Sequence, residues 1–357
     1  MGMNFQKLDK IVDTFPANTV LCVGDMMLDE YVSGPADRLS PEAPVPVIRR
    51  QNVRQVLGGV GNVAANLSAL KCQTLCFYAV AQDQEADQIK QMLTAQNIIP
   101  YPFTAGLMTT KKQRIMAHKQ QICRIDSEAP LMLSKQQEDT IIHHVSSLLP
   151  HANIVLLSDY NKGLITPRVA QGIIQRANEL GKPVFVDPKG TNYAKYSGAT
   201  LIKPNFNELK TAVRQLQPDM EGIDTLNPSN PQDITKIQEL TALLRDKLHI
   251  SKAVVTLGEH GMLASSTQGN IYRPTMAKAV SDVSGAGDTS LALLGAAFIS
   301  EPSLENALDL ANIGAGVVVG KEGTATLSQQ ELKTTIRNMF NNEPTTFWAR
   351  TFSFDRR

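Results

Sequence analysis

Cysteine is scarce: four residues in 357 (Cys22, Cys72, Cys76 and Cys123), with no C-x-x-C pair and no zinc spacing. That excludes a disulfide framework and a cysteine zinc site, and reads as free thiols in a reducing compartment. Neither sign of charge is in excess. Lys and Arg number 35 against 34 Asp and Glu, a formal net charge of +1, so electrostatics argues for neither nucleic acid nor an anionic membrane as partner. No apolar run approaches the roughly 20 residues of a membrane helix. The opening stretch MGMNFQKLDKIVDTFPANTV lacks the apolar core and cleavage site of a secretion signal. No internal repeat or low-complexity tract stands out. These absences lead us to expect a cytoplasmic globular protein, long enough for one large or two modest domains.

What is present is alternation. Apolar runs at 20–23, 74–81, NIVLLSD (153–159), PVFVDP (183–188), ATLIKPN (199–205) and AVVTLG (253–258) read as strands. Helical patterning is expected over 84–96, 134–150, 166–180, 205–216, 231–247, 285–300 and 303–319. Strands alternating with helices of this length predict an α/β fold, a mainly parallel sheet sandwiched by helices. Two pieces break the pattern. PVPVIRR (44–50) reads as an edge or lid strand, and 107–128 reads as paired strands. Together they suggest a small β lid, about 30–52 and 107–126, on a body spanning 1–340. Residues 215–233 read as a surface loop. The tail NNEPTTFWARTFSFDRR, 341–357, has no clear period and no assigned role.

The chemistry concentrates in DVSGAGDTS, 282–290, followed at once by the helical run LALLGAAFIS. A helix N-terminus exposes unpaired N–H groups at the positive end of its dipole, and glycines let an anion approach them closely. Gly285, Ala286 and Gly287 would form an anion hole with Asp288 in the first turn. That pairing suits phosphoryl transfer: amides stabilise charge on the transferred group, and the acid takes the proton of the attacking hydroxyl. Two other glycine-rich stretches do not carry a nucleotide motif. VGKEGT (319–324) lacks the spacing and Ser/Thr of a P-loop. GVGNVA (59–64) fits G-x-G-x-x-A but sits outside a first βα unit.

DVSGAGDTS closely resembles the second signature of the PfkB (ribokinase-like) sugar kinases, usually D-T-x-G-A-G-D, with Val283 in place of the commoner Thr. GGVGNVAANLSAL (58–70) is similar to the family's first signature. KPNFNE (203–208) resembles its N-x-x-E element, and TLGEHGM (256–262) its nucleotide-binding strand and loop. These stand in the family's order over about residues 19–325. VGDMMLDEYVSGPADRLSPEAPVPVI (23–48), QQICRIDSE and LSDYNKGLIT look like the heptose 7-phosphate kinases of lipopolysaccharide core synthesis. That kinase is often fused to a nucleotidyltransferase; no H-x-G-H-type motif follows residue 325, so the sequence resembles the stand-alone form.

The resemblance implies a ribokinase-like fold, ATP and Mg²⁺ as cofactors, and a heptose 7-phosphate as substrate. It also implies a homodimer paired through the lid, with neither nucleic acid nor membrane as partner. Asp288 would be the base. Asp29, Gly58, Gly59 and Asn62 would bind the sugar. Asn205, Glu208, Gly258, Gly261 and Asn312 would bind ATP, with Glu208 ordering metal-bound water, although Asn205 and Glu208 also fit a helix capping box. A phosphorylated sugar needs cations, for which Arg114, Arg124 and Lys189 are candidates. Asp187 closes a strand at the edge where α/β ligands bind and could touch sugar or metal-bound water. Tyr160, Asn161 and Lys162 fall at a similar strand end. His143 and His144 read as surface or packing residues. Two alternatives stay open: a kinase of the same family for another sugar, and a non-catalytic sugar-phosphate or nucleotide sensor.

Overall fold

The run Val20–Val23 has no exposed residue, as expected of a strand covered on both faces. In the computed structural model, which describes residues 3–118, 120–277, 281–321 and 323–341, this run opens a much longer strand. The chain runs α1 (Phe5–Asp13), β1 (Thr19–Gly34), β2 (Arg38–Leu39), β3 (Pro46–Val47), β4 (Asn52–Gly59) and α2 (Val60–Ala69). Then come β5 (Gln73–Val80), α3 (Gln84–Ala95), β6 (Ile98–Thr104), β7 (Lys111–Ala117), β8 (Gln120–Ser127) and α4 (Lys135–Leu148). β9 (Ile154–Ser158), α5 (Pro167–Glu179), β10 (Val184–Asp187), β11 (Leu201–Ile202), α6 (Phe206–Leu216) and α7 (Pro231–Lys247) follow. The described chain ends with β12 (Lys252–Thr256), β13 (Met262–Ser266), β14 (Gly269–Arg273), α8 (Ala286–Ser300), α9 (Leu304–Val318) and α10 (Gln329–Asn341).

The body sheet has the order β14-β13-β12-β11-β10-β9-β1-β5-β6. It is parallel from β12 to β6, and β13 and β14 are antiparallel additions at one edge. One apolar cluster packs α1, α2, α8, α9 and α10 on one face of the sheet, with α3 reaching it through Ile89 and Leu93. A second packs α4, α5, α6 and α7 on the other. α8 is apolar nearly all round and buried from Asp288 to Ala297, which is how a central helix reads.

The lid grows out of β1. Residues 19–25 lie between parallel β5 and β9, whereas residues 26–34 leave the body to pair antiparallel with β4 and parallel with β7, which β8 extends. The strand read as ending near Asp25 therefore continues to Gly34. The expected strand at 44–50 shrinks to Pro46–Val47 in a two-residue ribbon with β2. Prolines at 44 and 46 supply no ladder N–H, so that segment cannot be a long edge. Gly58 and Gly59 close strand β4 before α2 begins. β4, β6, β13, β14, α1 and α10 were not anticipated. α1 and α10 pack on each other from opposite ends of the chain, although Asn4 caps α1 and its apolar residues recur at 5, 8, 11 and 12. The tail after residue 341 lies outside the described residues.

Candidate active site

The helix start expected at 285 is there. Gly285 caps α8 in a left-handed conformation, φ 81°, and a Cβ on it would lie 2.7 Å from Asn62 Nδ2. Helix bonding begins with Thr289 N–H to Gly285 C=O at 3.0 Å, and Ala286 N–H reaches Val283 C=O at 3.3 Å. The amides of Gly287 and Asp288 precede that ladder and have no backbone acceptor among the described residues. A Cβ on Gly287 would lie 3.6 Å from Lys203 Nζ and 3.9 Å from Asp187 Oδ2. The hole thus faces a buried Lys203–Asp187 ion pair of 3.0 Å. Sequence reading assigned Lys203 no role, although it stands in the KPNFNE motif.

Asp288 is buried and held at both oxygens: Asn62 Nδ2 donates to Oδ2 at 2.7 Å, and Tyr160 O–H donates to Oδ1 at 2.8 Å. Burial pushes its carboxyl up to about 7; the Asn62 and Tyr160 hydrogen bonds and Lys203 pull it down, and the Asp187 charge adds to the rise. A carboxyl poised there can exchange a proton near neutral pH. Burial raises the Asp187 carboxyl as well, with Lys203 opposing. A helix N-terminus by itself favours the ionised carboxylate; the dry surroundings of Asp288 oppose that.

The sugar-side candidates converge on the lid half of β1. Gly59 is left-handed, φ 59°, and a Cβ on it would lie 2.3 Å from Asp25 C=O. A Cβ on Gly58 would fall 2.5 Å from Asp29 Oδ2, so only glycine lets that strand cross the carboxylate. Asp29 accepts from Arg114 Nη1 at 2.6 Å. Paired residues of neighbouring strands share a face, and the register aligns Arg54, Tyr31, Arg114 and Arg124 across β4, β1, β7 and β8. The next row is Val56, Asp29, Lys112 and Asp126. Arg54 and Arg114 stack on Tyr31 at 4.7 and 5.2 Å. Tyr31 O–H lies 3.3 Å from Thr324 Oγ1, and a Cβ on Gly285 would fall 3.2 Å from the methyl of Thr324. The lid therefore roofs the helix start.

The remaining candidates separate. Asn205 caps α6 in a full capping box with Glu208, and Glu208 also takes Lys189 Nζ at 2.7 Å. Lys189 thus joins the Asn205–Glu208 group rather than the lid cations. Arg124 is exposed and gives both arms to Asp126, at 2.7 and 2.9 Å. Gly258 and Gly261 bound the turn from β12 to β13. Asn312 on α9 donates to Pro274 C=O at 2.6 Å beside that edge. His143 and His144 lie exposed on α4. Tyr31, Arg54, Lys112 and Lys203 were missed. For Lys112 a signal existed, since it stands two residues from Arg114 and a strand puts both on one face. Among the described residues no three His, Cys, Asp or Glu side chains converge on a metal position, and no helix is long and apolar enough to cross a membrane. All four cysteines are free thiols.

An amide-rich helix start, a buried carboxyl titrating near neutrality in its first turn and a β lid roofing both are an arrangement suited to phosphoryl transfer to a hydroxyl. The pfkB family carbohydrate kinase profile matches residues 17–331. The chain belongs to that family, and is a phosphotransferase acting on a sugar hydroxyl. It is 38% identical over 317 residues to bifunctional protein HldE of Geotalea uraniireducens, covering 87% of this chain and 61% of that one. It is 39% identical over 314 residues to the HldE of a Nitratiruptor species, covering 88% and 64%. The chain thus spans under two thirds of the length of these relatives. In fold it resembles phosphofructokinase-2 from Escherichia coli in complex with potassium (TM-score 0.73, 17% identity, 90% of this chain and 99% of that one). It also resembles Arabidopsis thaliana ribokinase complexed with ribose and ATP (TM-score 0.64, 18% identity, 90% and 99%).

Proposed function

We propose that the protein transfers the γ-phosphoryl of ATP to the anomeric hydroxyl of D-glycero-β-D-manno-heptose 7-phosphate, giving the 1,7-bisphosphate for ADP-heptose and lipopolysaccharide core synthesis. The observation that carries the substrate choice is the cation set on the lid face beside Asp29. Lys112, half-buried, makes no ion pair among the described residues. Burial first, then the nearby Lys162 and Arg124 charges, lower its pKa. An unpaired, partly desolvated ammonium gains by meeting an anion. A neutral sugar would leave it unsatisfied; a sugar phosphate bound at Asp29 would not. The likeness of residues 23–48, QQICRIDSE and LSDYNKGLIT to heptose 7-phosphate kinases, and the similarity to the HldE relatives, point the same way.

In this reading Asp29 and Asn62 orient the sugar hydroxyls, and Lys112 with Arg114 meets the 7-phosphate. The Asp288 carboxylate takes the proton of the anomeric hydroxyl as the O1–P bond forms and the bond from γ-phosphorus to the β–γ bridging oxygen breaks, releasing ADP. The amides of Gly287 and Asp288, with Lys203, stabilise charge on the moving phosphoryl. ATP lies along Asn205, Gly258, Gly261 and Asn312. Glu208 would hold Mg²⁺ through water rather than directly, and the ion would neutralise phosphate charge when bound. The outer lid face, opposite the site, exposes Val53 and Ile125. A second copy paired there gives a homodimer, which light scattering tests: a monomer at working concentration removes it.

The experiment is ADP release from Mg-ATP with the β-heptose 7-phosphate, its α anomer, fructose 6-phosphate and ribose. Turnover confined to the β-heptose phosphate is expected. Turnover with another sugar alone would keep the kinase and replace the substrate. Binding without ADP release would favour the sensor.

A further inference from the structure

Asp288 has two direct supports, and only one, Asn62, belongs to the sugar-binding turn. The other, Tyr160, comes from the loop after β9, which is tied down by two buried acids, Asp25 of β1 and its own Asp159. Asp25, at the body end of β1, accepts three backbone amides from that loop: Tyr160 N–H at 2.8 Å, Lys162 N–H at 3.0 Å and Leu164 N–H at 3.2 Å. Asp159 accepts Asn161 N–H at 2.6 Å and is itself gripped by Lys195 Nζ at 2.5 Å and Tyr196 O–H at 2.7 Å. Asn161 sits at φ 56°, a conformation that persists only where the surroundings impose it. Two carboxylates therefore clamp a short loop whose one side-chain product at the helix start is the Tyr160 hydroxyl.

We propose that Tyr160 is a positioning residue for Asp288: its hydroxyl fixes the carboxylate's rotamer and favours the ionised form that receives the acceptor's proton. This rests on Asp288 being the base. Each carboxylate oxygen can accept two hydrogen bonds, so one donor on each leaves capacity for the acceptor hydroxyl. Tyr160 does not compete for that proton. Burial, and then the Asp288 and Asp187 charges, hold its phenol far above the usual range, so it stays a donor. The charged groups facing Asp288 are Asp187 from the end of β10 and Lys203 from beyond β11; Asp29 of β1 faces Tyr160. Neither cation nor acid reaches Oδ1, which Tyr160 alone occupies among the described residues. A donor to the charged form favours it, so losing the donor raises the carboxyl's titration midpoint.

The test is Tyr160→Phe, read by NMR of protein carrying ¹³Cγ-labelled aspartate, the Asp288 signal being assigned by its loss in Asp288→Asn. The midpoint of that signal is expected to rise by about half a pH unit or more. With Mg-ATP and the β-heptose phosphate, kcat is expected to fall about tenfold while both KM values stay within about twofold. If Tyr160→Phe does not fold, 3-fluorotyrosine at position 160 replaces it. Its more acidic hydroxyl donates more strongly and moves the midpoint down. An unmoved midpoint in the folded variant overturns the inference, whatever happens to the melting temperature. Wild-type turnover in Asp288→Asn would remove the base assignment and this inference with it. Lost turnover there, with an unmoved midpoint in Tyr160→Phe, would remove the inference alone.

Discussion

The two halves of β1 carry two carboxylates four residues apart, and they serve different ends. Asp25 lies in the body, where three amides of its own chain take three of its four acceptor positions. Asp29 lies in the lid, where among the described residues its one hydrogen-bonding partner is Arg114 and a glycine passes directly over it. Both are buried, so burial does not distinguish them. Saturation does. A carboxylate whose acceptor capacity is mostly spent on backbone is part of the scaffold, and one with most of it left beside an open turn can bind a ligand. Asp288 stands between them, with one donor on each oxygen and room for one proton.

Asp288→Asn tests that middle case and has the largest expected effect. It should lower kcat about 10²–10⁴-fold, the range for a lost general base, in ADP-release assays. Stability should move the other way. The folded carboxyl titrates near 7 against an ordinary 3.8, so the native state binds this proton more tightly than the unfolded chain. That contribution is complete below the ordinary value and is lost as pH rises through about 7. The neutral amide escapes the loss. At pH 8 the variant should be more stable by roughly 1–4 kcal/mol, the gap closing toward pH 5, as thermal unfolding at both pH values would show.

The scaffold case comes next. Asp25→Ala strands three backbone amides, one buried and two partly so, and should cost about 2–5 kcal/mol in denaturant unfolding, each orphaned donor counting for about 1–3 kcal/mol less some relaxation. Asp29→Asn should do the reverse, lowering kcat/KM for the acceptor about 10²-fold with a smaller loss of stability, since Arg114 keeps a carbonyl partner. If Asp25→Ala and Asp29→Asn destabilised equally, saturation would not be what separates the two acids.

Smaller effects sort the cations. Lys112→Ala should raise the acceptor KM about tenfold and leave the ATP KM alone, as expected where one charged contact to the substrate is removed. Lys189→Ala, by freeing Glu208, should act on the ATP side instead. Arg124→Ala should change stability by less than about 0.5 kcal/mol, the usual worth of an exposed pair; an effect on the acceptor KM would bring Arg124 back to the phosphate.

Much of this molecule was legible in its residues. The α8 start was read from glycines before an apolar run, and α6 from Asn205 and Glu208 three apart, because capping is satisfied within one turn. The body strands were read from short apolar runs between turn residues. Legibility failed where one strand serves two sheets. Past Asp25 the sequence of β1 mixes Met, Asp, Glu and Tyr, since its lid half has one face toward the site, and a period set by two environments does not read as one strand.

What is local could be read from the residues in order: helix starts, the parallel α/β alternation, and the glycines and acid that open α8. Tertiary structure alone decided the working state of that acid. Asn62 and Tyr160 reach it across 226 and 128 residues of chain, and the Asp187–Lys203 pair beside it comes from the ends of different strands. The physical reason is that a hydrogen bond or a desolvation is set by what lies within a few ångströms in space. Folding, not sequence spacing, chooses those neighbours.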